Sequence, residues 1–163
     1  MNQKALIVYA SHYGSTEQIA LTIAQELTRR GLTVDVQAVR QVSSLAGYDR
    51  VMLGSAVRYG QWLPEAVNFV SAHQAELNAK PTAFFTVHIL NTAADPESEM
   101  SRKAYLNPVR PLVKPGAEAF FAGKIDYSQL TVFERMLCKL IKSPAGDLRD
   151  WNCISCWAQT VFL

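Results

Sequence analysis

The residues best suited to chemistry lie in short segments that follow apolar runs. The first is Ser11-His12-Tyr13-Gly14-Ser15-Thr16. Ser11, Ser15 and Thr16 offer hydroxyls, and Gly14 lets the backbone approach a bound group closely. A helix beginning at Thr16 adds free backbone N–H groups and the positive end of its dipole. Hydroxyls and amides without a cation suit a phosphate monoester held by neutral donors. The segment has neither the lysine of a Walker loop nor the GxGxxG spacing of a dinucleotide-binding turn. The alternative is a plain helix start capped by Ser or Thr.

A second segment, Gly54-Ser55-Ala56-Val57-Arg58-Tyr59-Gly60-Gln61-Trp62, sets two aromatic rings and a guanidinium near two glycines. Close backbone and stackable rings suit a flat heterocycle. The alternative is a surface loop in which Trp62 packs over the next helix. A third segment, Thr86-Val87-His88-Ile89-Leu90-Asn91, ends another apolar run and brings Val87, His88 and Asn91 to the same edge. His88 also reads as a partly buried structural histidine.

The elements that must position these segments alternate. Leu6–Ala10 reads as a buried strand. Thr16–Arg30 reads as a helix with Ile19, Ala20, Ile23, Ala24 and Leu27 on one face and Gly31 as its stop. Further strands are predicted at Thr33–Val39, Asp49–Ala56, Thr82–Leu90 and Glu118–Ile125. Helices are predicted over Pro64–Leu77 and Glu97–Val113, the second with an open end because Pro108 and Pro111 should break it. This order predicts an α/β fold with a parallel sheet covered on both faces, as a single domain over residues 1–163.

Composition narrows the function classes. The 163 residues are 49% hydrophobic and 18% charged, with a net charge of +2. That is a globular chain without the basic footprint of a nucleic-acid binder. Neither a signal peptide nor a membrane span is legible, so a cytoplasmic location is expected. Cys138, Cys153 and Cys156 form an odd set, which argues against a disulfide framework. Cys153-x-x-Cys156 lacks the second pair that a zinc site needs, and Cys138 reads as packing. Asp126–Lys142 carries Leu130, Phe133, Leu137, Leu140 and Ile141 at helical spacing, with Lys139 and Lys142 near its end. This face either packs back on the sheet edge, walls in a large apolar substrate, or makes a peripheral membrane contact.

The pattern Ser11-x-x-Gly14-x-Thr16 after an apolar strand resembles the FMN-phosphate loop of the flavodoxin family, with Tyr13 where common flavodoxins carry Thr. That resemblance implies a three-layer sandwich with a five-stranded parallel sheet in the order 2-1-3-4-5 and a helical insert after strand five. Within the family, several segments are similar to the menaquinone-dependent protoporphyrinogen IX dehydrogenases. They are Tyr48-Asp49-Arg50-Val51, Gly54 to Gly60, Pro81 to Val87, Phe121-Ala122-Gly123 and Phe133 to Lys142. The resemblance implies FMN as cofactor, with Ser11, His12, Tyr13, Gly14, Ser15 and Thr16 at its phosphate. Ser55, Ala56, Val57, Arg58, Tyr59, Gly60, Trp62, Val87, His88 and Asn91 would lie at its ring. It further implies oxidation of protoporphyrinogen IX to protoporphyrin IX with a quinone acceptor, as in haem biosynthesis. The catalytic work would fall to the flavin, and the resemblance implies that the insert confers porphyrinogen specificity; a peripheral contact with the inner face of the cell membrane through the insert is one expectation for its apolar face.

The alternative is a flavodoxin-like FMN electron carrier. Such carriers tend to be strongly acidic, and a net charge of +2 weighs against that role. A third reading is a flavodoxin-fold interaction domain that has lost its cofactor. The chain end departs from the family, with only Trp157 to Leu163 after Cys156. Trp157, Val161, Phe162 and Leu163 are therefore expected to form an apolar tail that favours self-association.

Overall fold

The computed structural model describes residues 3–163. Its elements run in the order β1 (Lys4–Ala10), α1 (Ser15–Arg29), β2 (Thr33–Ala38), a 3-10 turn (Val39–Gln41), β3 (Arg50–Arg58), β4 (Gln61–Trp62), α2 (Pro64–Ala72), α3 (Gln74–Ala79) and β5 (Thr82–His88). There follow α4 (Pro96–Ala104), β6 (Ala117–Ala122), β7 (Lys124–Ile125), a 3-10 turn (Tyr127–Gln129), α5 (Val132–Leu140), β8 (Gly146–Asp147) and α6 (Trp151–Thr160).

The long apolar runs become central strands because both their faces are covered. All seven residues of β5 are buried, and Ala5 to Val8 of β1 are fully so. The main strands pair in parallel in the order β2-β1-β3-β5-β6, which is the expected 2-1-3-4-5 arrangement once the two-residue β4 is set aside. β4 folds back antiparallel on the end of β3. One face of the sheet packs on α2, α3 and the turns after α4, through residues such as Leu53, Phe69, Leu77, Leu106 and Val109. The other packs on α1 and α6, through Ile7, Ile19, Ile23, Phe85 and Ile154.

Several expected boundaries move for local reasons. The helix predicted over 64–77 breaks at His73 into α2 and α3. The helix predicted over 97–113 stops at Ala104, and the chain continues in turns to Leu112. Leu106, Val109 and Val113 are buried in those turns, so their spacing imitates a helix that Pro108 and Pro111 interrupt. The fifth main strand ends at Ala122, and β7 pairs instead with β8 in a separate two-stranded ribbon. Gly123, between them, runs tight over the sheet: a Cβ there would lie 2.8 Å from Val87 Cγ1.

The chain end is a correction. The apolar residues from Trp157 onward are not a free tail: Trp157 lies in α6, and Val161 and Phe162 pack on the fold directly after it. Asp150 caps that helix, accepting the Cys153 N–H at 3.0 Å. Ile154, Ala158 and Val161 are buried against α1, and Trp157 meets Phe121 edge-on at 5.6 Å. Arg30 Nη1 donates to the carbonyls of Ala158 (2.9 Å) and Val161 (2.7 Å), and Arg50 Nη1 donates to that of Phe162 (3.2 Å). Of the four apolar residues expected to be sticky, Leu163 alone is largely exposed, so the basis for tail-driven self-association is gone. Cys153 and Cys156 are free thiols one turn apart on the outside of α6. Among the described residues no cluster of metal-ligating side chains occurs, and no helix is long and apolar enough to cross a membrane.

Candidate functional site

The loop after β1 is built around Gly14, which takes φ 90° at the N-cap of α1. No side chain caps the helix. Ser11 Oγ instead accepts the Gly14 N–H at 2.9 Å, tying the loop to itself. The first helical bond runs from the Gln18 N–H to the Gly14 carbonyl, which leaves the N–H groups of Ser15, Thr16 and Glu17 without intrahelical acceptors. Thr16 is fully buried beneath this loop, and its Oγ1 has no hydrogen-bond partner among the described residues. A buried hydroxyl left unpaired costs about 1–3 kcal/mol. The helix start is not Ser/Thr-capped, and free amides beside a hydroxyl without a partner are the donor set an anion would need.

The second loop is a two-residue hairpin. Tyr59 (φ 54°) and Gly60 (φ 76°) both take positive φ, as the type I′ turn between paired strands requires. The hairpin lifts Tyr59 into solvent at 70% exposure, with the Arg58 guanidinium 5.2 Å from its ring centre. It also turns Trp62 inward. Trp62 is buried against Phe84, and its indole N–H donates to Thr86 Oγ1 at 2.9 Å. Ser55 is likewise internal: its hydroxyl accepts the Leu63 N–H at 3.1 Å and donates to the Ala56 carbonyl at 2.8 Å, bracing the base of the hairpin. Gly54 serves packing, because the Phe85 ring fills the space beside its Cα.

At the end of β5, His88 is 4% exposed and its Nδ1 lies 2.7 Å from the Leu90 carbonyl. Burial holds its pKa below the ordinary histidine value. Asn91 takes φ 60° and donates through Nδ2 to Tyr105 Oη at 2.7 Å.

The insert closes the third side. Thr131 and Glu134 form a capping box that starts α5: Thr131 Oγ1 accepts the Glu134 N–H at 3.2 Å and Glu134 Oε2 accepts the Thr131 N–H at 2.9 Å. The same carboxylate accepts Tyr13 Oη at 2.5 Å and Arg58 Nη2 at 3.1 Å, so α5 is fastened to both loops. The Tyr13 hydroxyl first, and then the Thr131 N–H, hold the Glu134 carboxyl below its ordinary range. Partial burial, and then the bond to Glu134, push the Tyr13 phenol up to about 12, so it stays a neutral donor at physiological pH.

These pieces surround one cavity of about 420 Å³ at the carboxyl edge of the sheet. Of the residues expected from the sequence, Ser11, His12, Tyr13, Ser15, Ala56, Val57, Arg58, Tyr59, Gly60, Val87, His88 and Asn91 line it. Gly14, Thr16, Ser55 and Trp62 do not; they lie beneath the loops or in the core. The wall also includes Tyr105, Lys124 and Glu134, which the sequence leaves unassigned, Cys138, which reads as packing, and Leu130, Leu137 and Ile141 from the insert face for which a substrate wall is one of the expectations. The insert is therefore a wall of the cavity and not a patch on the sheet edge. One end of the cavity offers hydroxyls and amides, while its body is apolar. That division suits a ligand with a phosphate and a flat ring system.

A doubly wound 2-1-3-4-5 sheet with an anion cradle after its first strand and a slot along its carboxyl edge defines a flavodoxin-type domain. The chain belongs to the flavodoxin-domain family, whose model matches residues 6–152. Among curated relatives it is 30% identical over 175 residues to the protoporphyrinogen IX dehydrogenase (quinone) of Escherichia coli strain K12, covering 97% of this chain and 94% of the relative. It is 31% identical over 153 residues to the protein of that name from Leishmania major, covering 90% of this chain and 65% of the relative. Its fold matches that of a flavodoxin from Streptococcus pneumoniae TIGR4 with a TM-score of 0.57 at 17% identity, over 97% of both chains.

Proposed function

We propose that this protein is an FMN-dependent oxidoreductase that oxidises protoporphyrinogen IX to protoporphyrin IX and passes the electrons to a quinone. The observation that carries this reading is the likeness to the quinone-linked dehydrogenases over 97% of the chain, a span that takes in α5 and the cavity wall it forms. Bound FMN supplies the redox chemistry. Thr16 Oγ1, the hydroxyls of Ser11 and Ser15 and the free amides of the first turn would hold its phosphate. Ala56 to Gly60, Val87, His88 and Asn91 would lie beside its ring. Leu130, Leu137 and Ile141 keep water from that slot, and Glu134 fixes the loops around it. His88 Nδ1 is tied to the Leu90 carbonyl beside that slot.

An anaerobic FMN titration followed by turnover tests this. The expected result is stoichiometric FMN binding, then oxidation of protoporphyrinogen IX that depends on added menadione. Binding of FMN without quinone-dependent oxidation would overturn the enzyme reading in favour of an electron carrier. Absence of FMN binding would overturn both and leave the interaction domain.

The quinone acceptor leads us to propose a bilayer contact as well. Val132 (74%), Phe133 (68%), Met136 (65%) and Leu140 (79%) stand exposed on α5, next to exposed Lys139 and Lys142. The helix's one carboxylate, Glu134, is turned inward onto Tyr13 and Arg58. An apolar face with basic neighbours and no outward acid fits the surface of an anionic bilayer. The protein is expected to float with vesicles rich in phosphatidylglycerol. Phe133→Ser with Leu140→Ser removes two anchors worth about 1.5–3 kcal/mol each and should abolish flotation. Equal flotation of the variant would refute α5 as the contact.

A further inference from the structure

We infer that Tyr13 and Arg58 form a carboxylate-recognition site that Glu134 occupies from within, and that a carboxylate of the substrate takes over when α5 moves aside. The identity of that substrate rests on the porphyrinogen reading above.

The argument begins from convergence. Tyr13 and His12 come from the loop after β1, Arg58 from the β3–β4 hairpin, and Glu134 from the insert. Tyr13 Oη lies 2.5 Å from Glu134 Oε2, Arg58 Nη2 lies 3.1 Å from Oε1, and His12 Nε2 lies 3.8 Å from Oε1. A capping glutamate needs only its own helix, which Glu134 has in the Thr131 N–H. Helix capping does not account for the phenol and the guanidinium from two distant loops. Paired with a carboxylate they make the strong, charge-assisted kind of contact that selects such a group.

Size supplies the second step. The cavity of about 420 Å³ is in the range for a single flat ligand. A tetrapyrrole beside a bound flavin needs more room, and α5 is the wall most easily displaced. No residue of α5 is fully buried, and the insert returns to the fold through the two-residue ribbon of β7 and β8. Lifting α5 withdraws Glu134 and leaves Tyr13 and Arg58 without their acceptor. Protoporphyrinogen IX carries two propionate side chains, and one of them restores the same contacts. Glu134 is then a resident competitor that keeps the site closed and its donors satisfied between substrates.

The test uses the full chain loaded with FMN and two stable probes, protoporphyrin IX and its dimethyl ester, with binding followed by porphyrin fluorescence. The wild type is expected to prefer the diacid. Glu134→Gln keeps the capping box but loosens the hold of α5 on Tyr13 and Arg58, and should bind both probes about tenfold more tightly while keeping the preference for the diacid. Arg58→Met should lose the preference for diacid over ester, and Tyr13→Phe should narrow it. Thermal melting of each variant shows that it is folded, and an FMN titration sets the flavin concentration at which each is fully loaded. Equal affinity of the wild type for diacid and ester, or a preference that survives Arg58→Met, would overturn the inference while leaving the function intact. No porphyrin binding by any FMN-loaded form would overturn the porphyrinogen reading and this inference with it.

Discussion

Thr16→Val is expected to weaken FMN binding about ten- to a hundredfold while leaving the ligand-free protein equally stable or more so. Valine has the shape of threonine without the hydroxyl. In the ligand-free fold Thr16 Oγ1 is buried without a partner, so its removal takes away a desolvation cost and no contact. With FMN bound as proposed, and the loop opened enough for the phosphate to reach this hydroxyl, the same change would delete a hydrogen bond to a charged group, worth about 1.5–3 kcal/mol. Thr16→Ser keeps the hydroxyl and should stay close to wild type in affinity. Flavin fluorescence titration and thermal melting of the ligand-free protein read the two effects separately. Wild-type affinity in Thr16→Val would show that the phosphate is held without this residue.

Gly54→Ala should be the most damaging single methyl group in the sheet. A Cβ at Gly54 would lie 1.9–2.4 Å from three atoms of the Phe85 ring, far inside contact distance. The two residues are register partners on neighbouring central strands, and Gly54 is also paired with Tyr9 on the other side. Neither backbone can step away without breaking a ladder. Overpacking in a dense core costs about 1–3 kcal/mol, occasionally more, and the directness of this clash points to about 3 kcal/mol. Phe85→Leu in the Gly54→Ala background frees the space and should recover part of the loss, because the two changes share one contact. Urea denaturation measures both, and an unchanged midpoint in Gly54→Ala would refute the packing role.

Much of this architecture is legible in the sequence because its signals are local and periodic. The helical spacing from Ile19 to Leu27 and the apolar runs at Leu6 and Thr82 each lead to the element found. The anion loop is legible for the same reason, since hydroxyls, a glycine and a helix start stand in one short stretch. What escapes is set by distance along the chain. Trp62 looks like a stacking ring until the hairpin turns it toward Thr86, 24 residues on. Glu134 is explained by Thr131 alone and gives no sign of Tyr13, 121 residues away. The last helix is a different kind of miss, because its signals were present. Asp150 stands in the N-cap position, and Trp151, Ile154, Ala158 and Val161 follow at helical spacing.

The packing of α6 on α1 also sets an order on the protein's birth. Arg30 reaches carbonyls 128 and 131 residues further along, and Ile19 and Ile23 share one buried cluster with Ile154 and Ala158. A ribosome adds about 5–20 residues per second, so the flank of α1 that meets α6 waits on the order of ten seconds for its partner. β1, β2 and β3 cover α1 first, through Ile7, Val34 and Met52, and α6 completes that layer later.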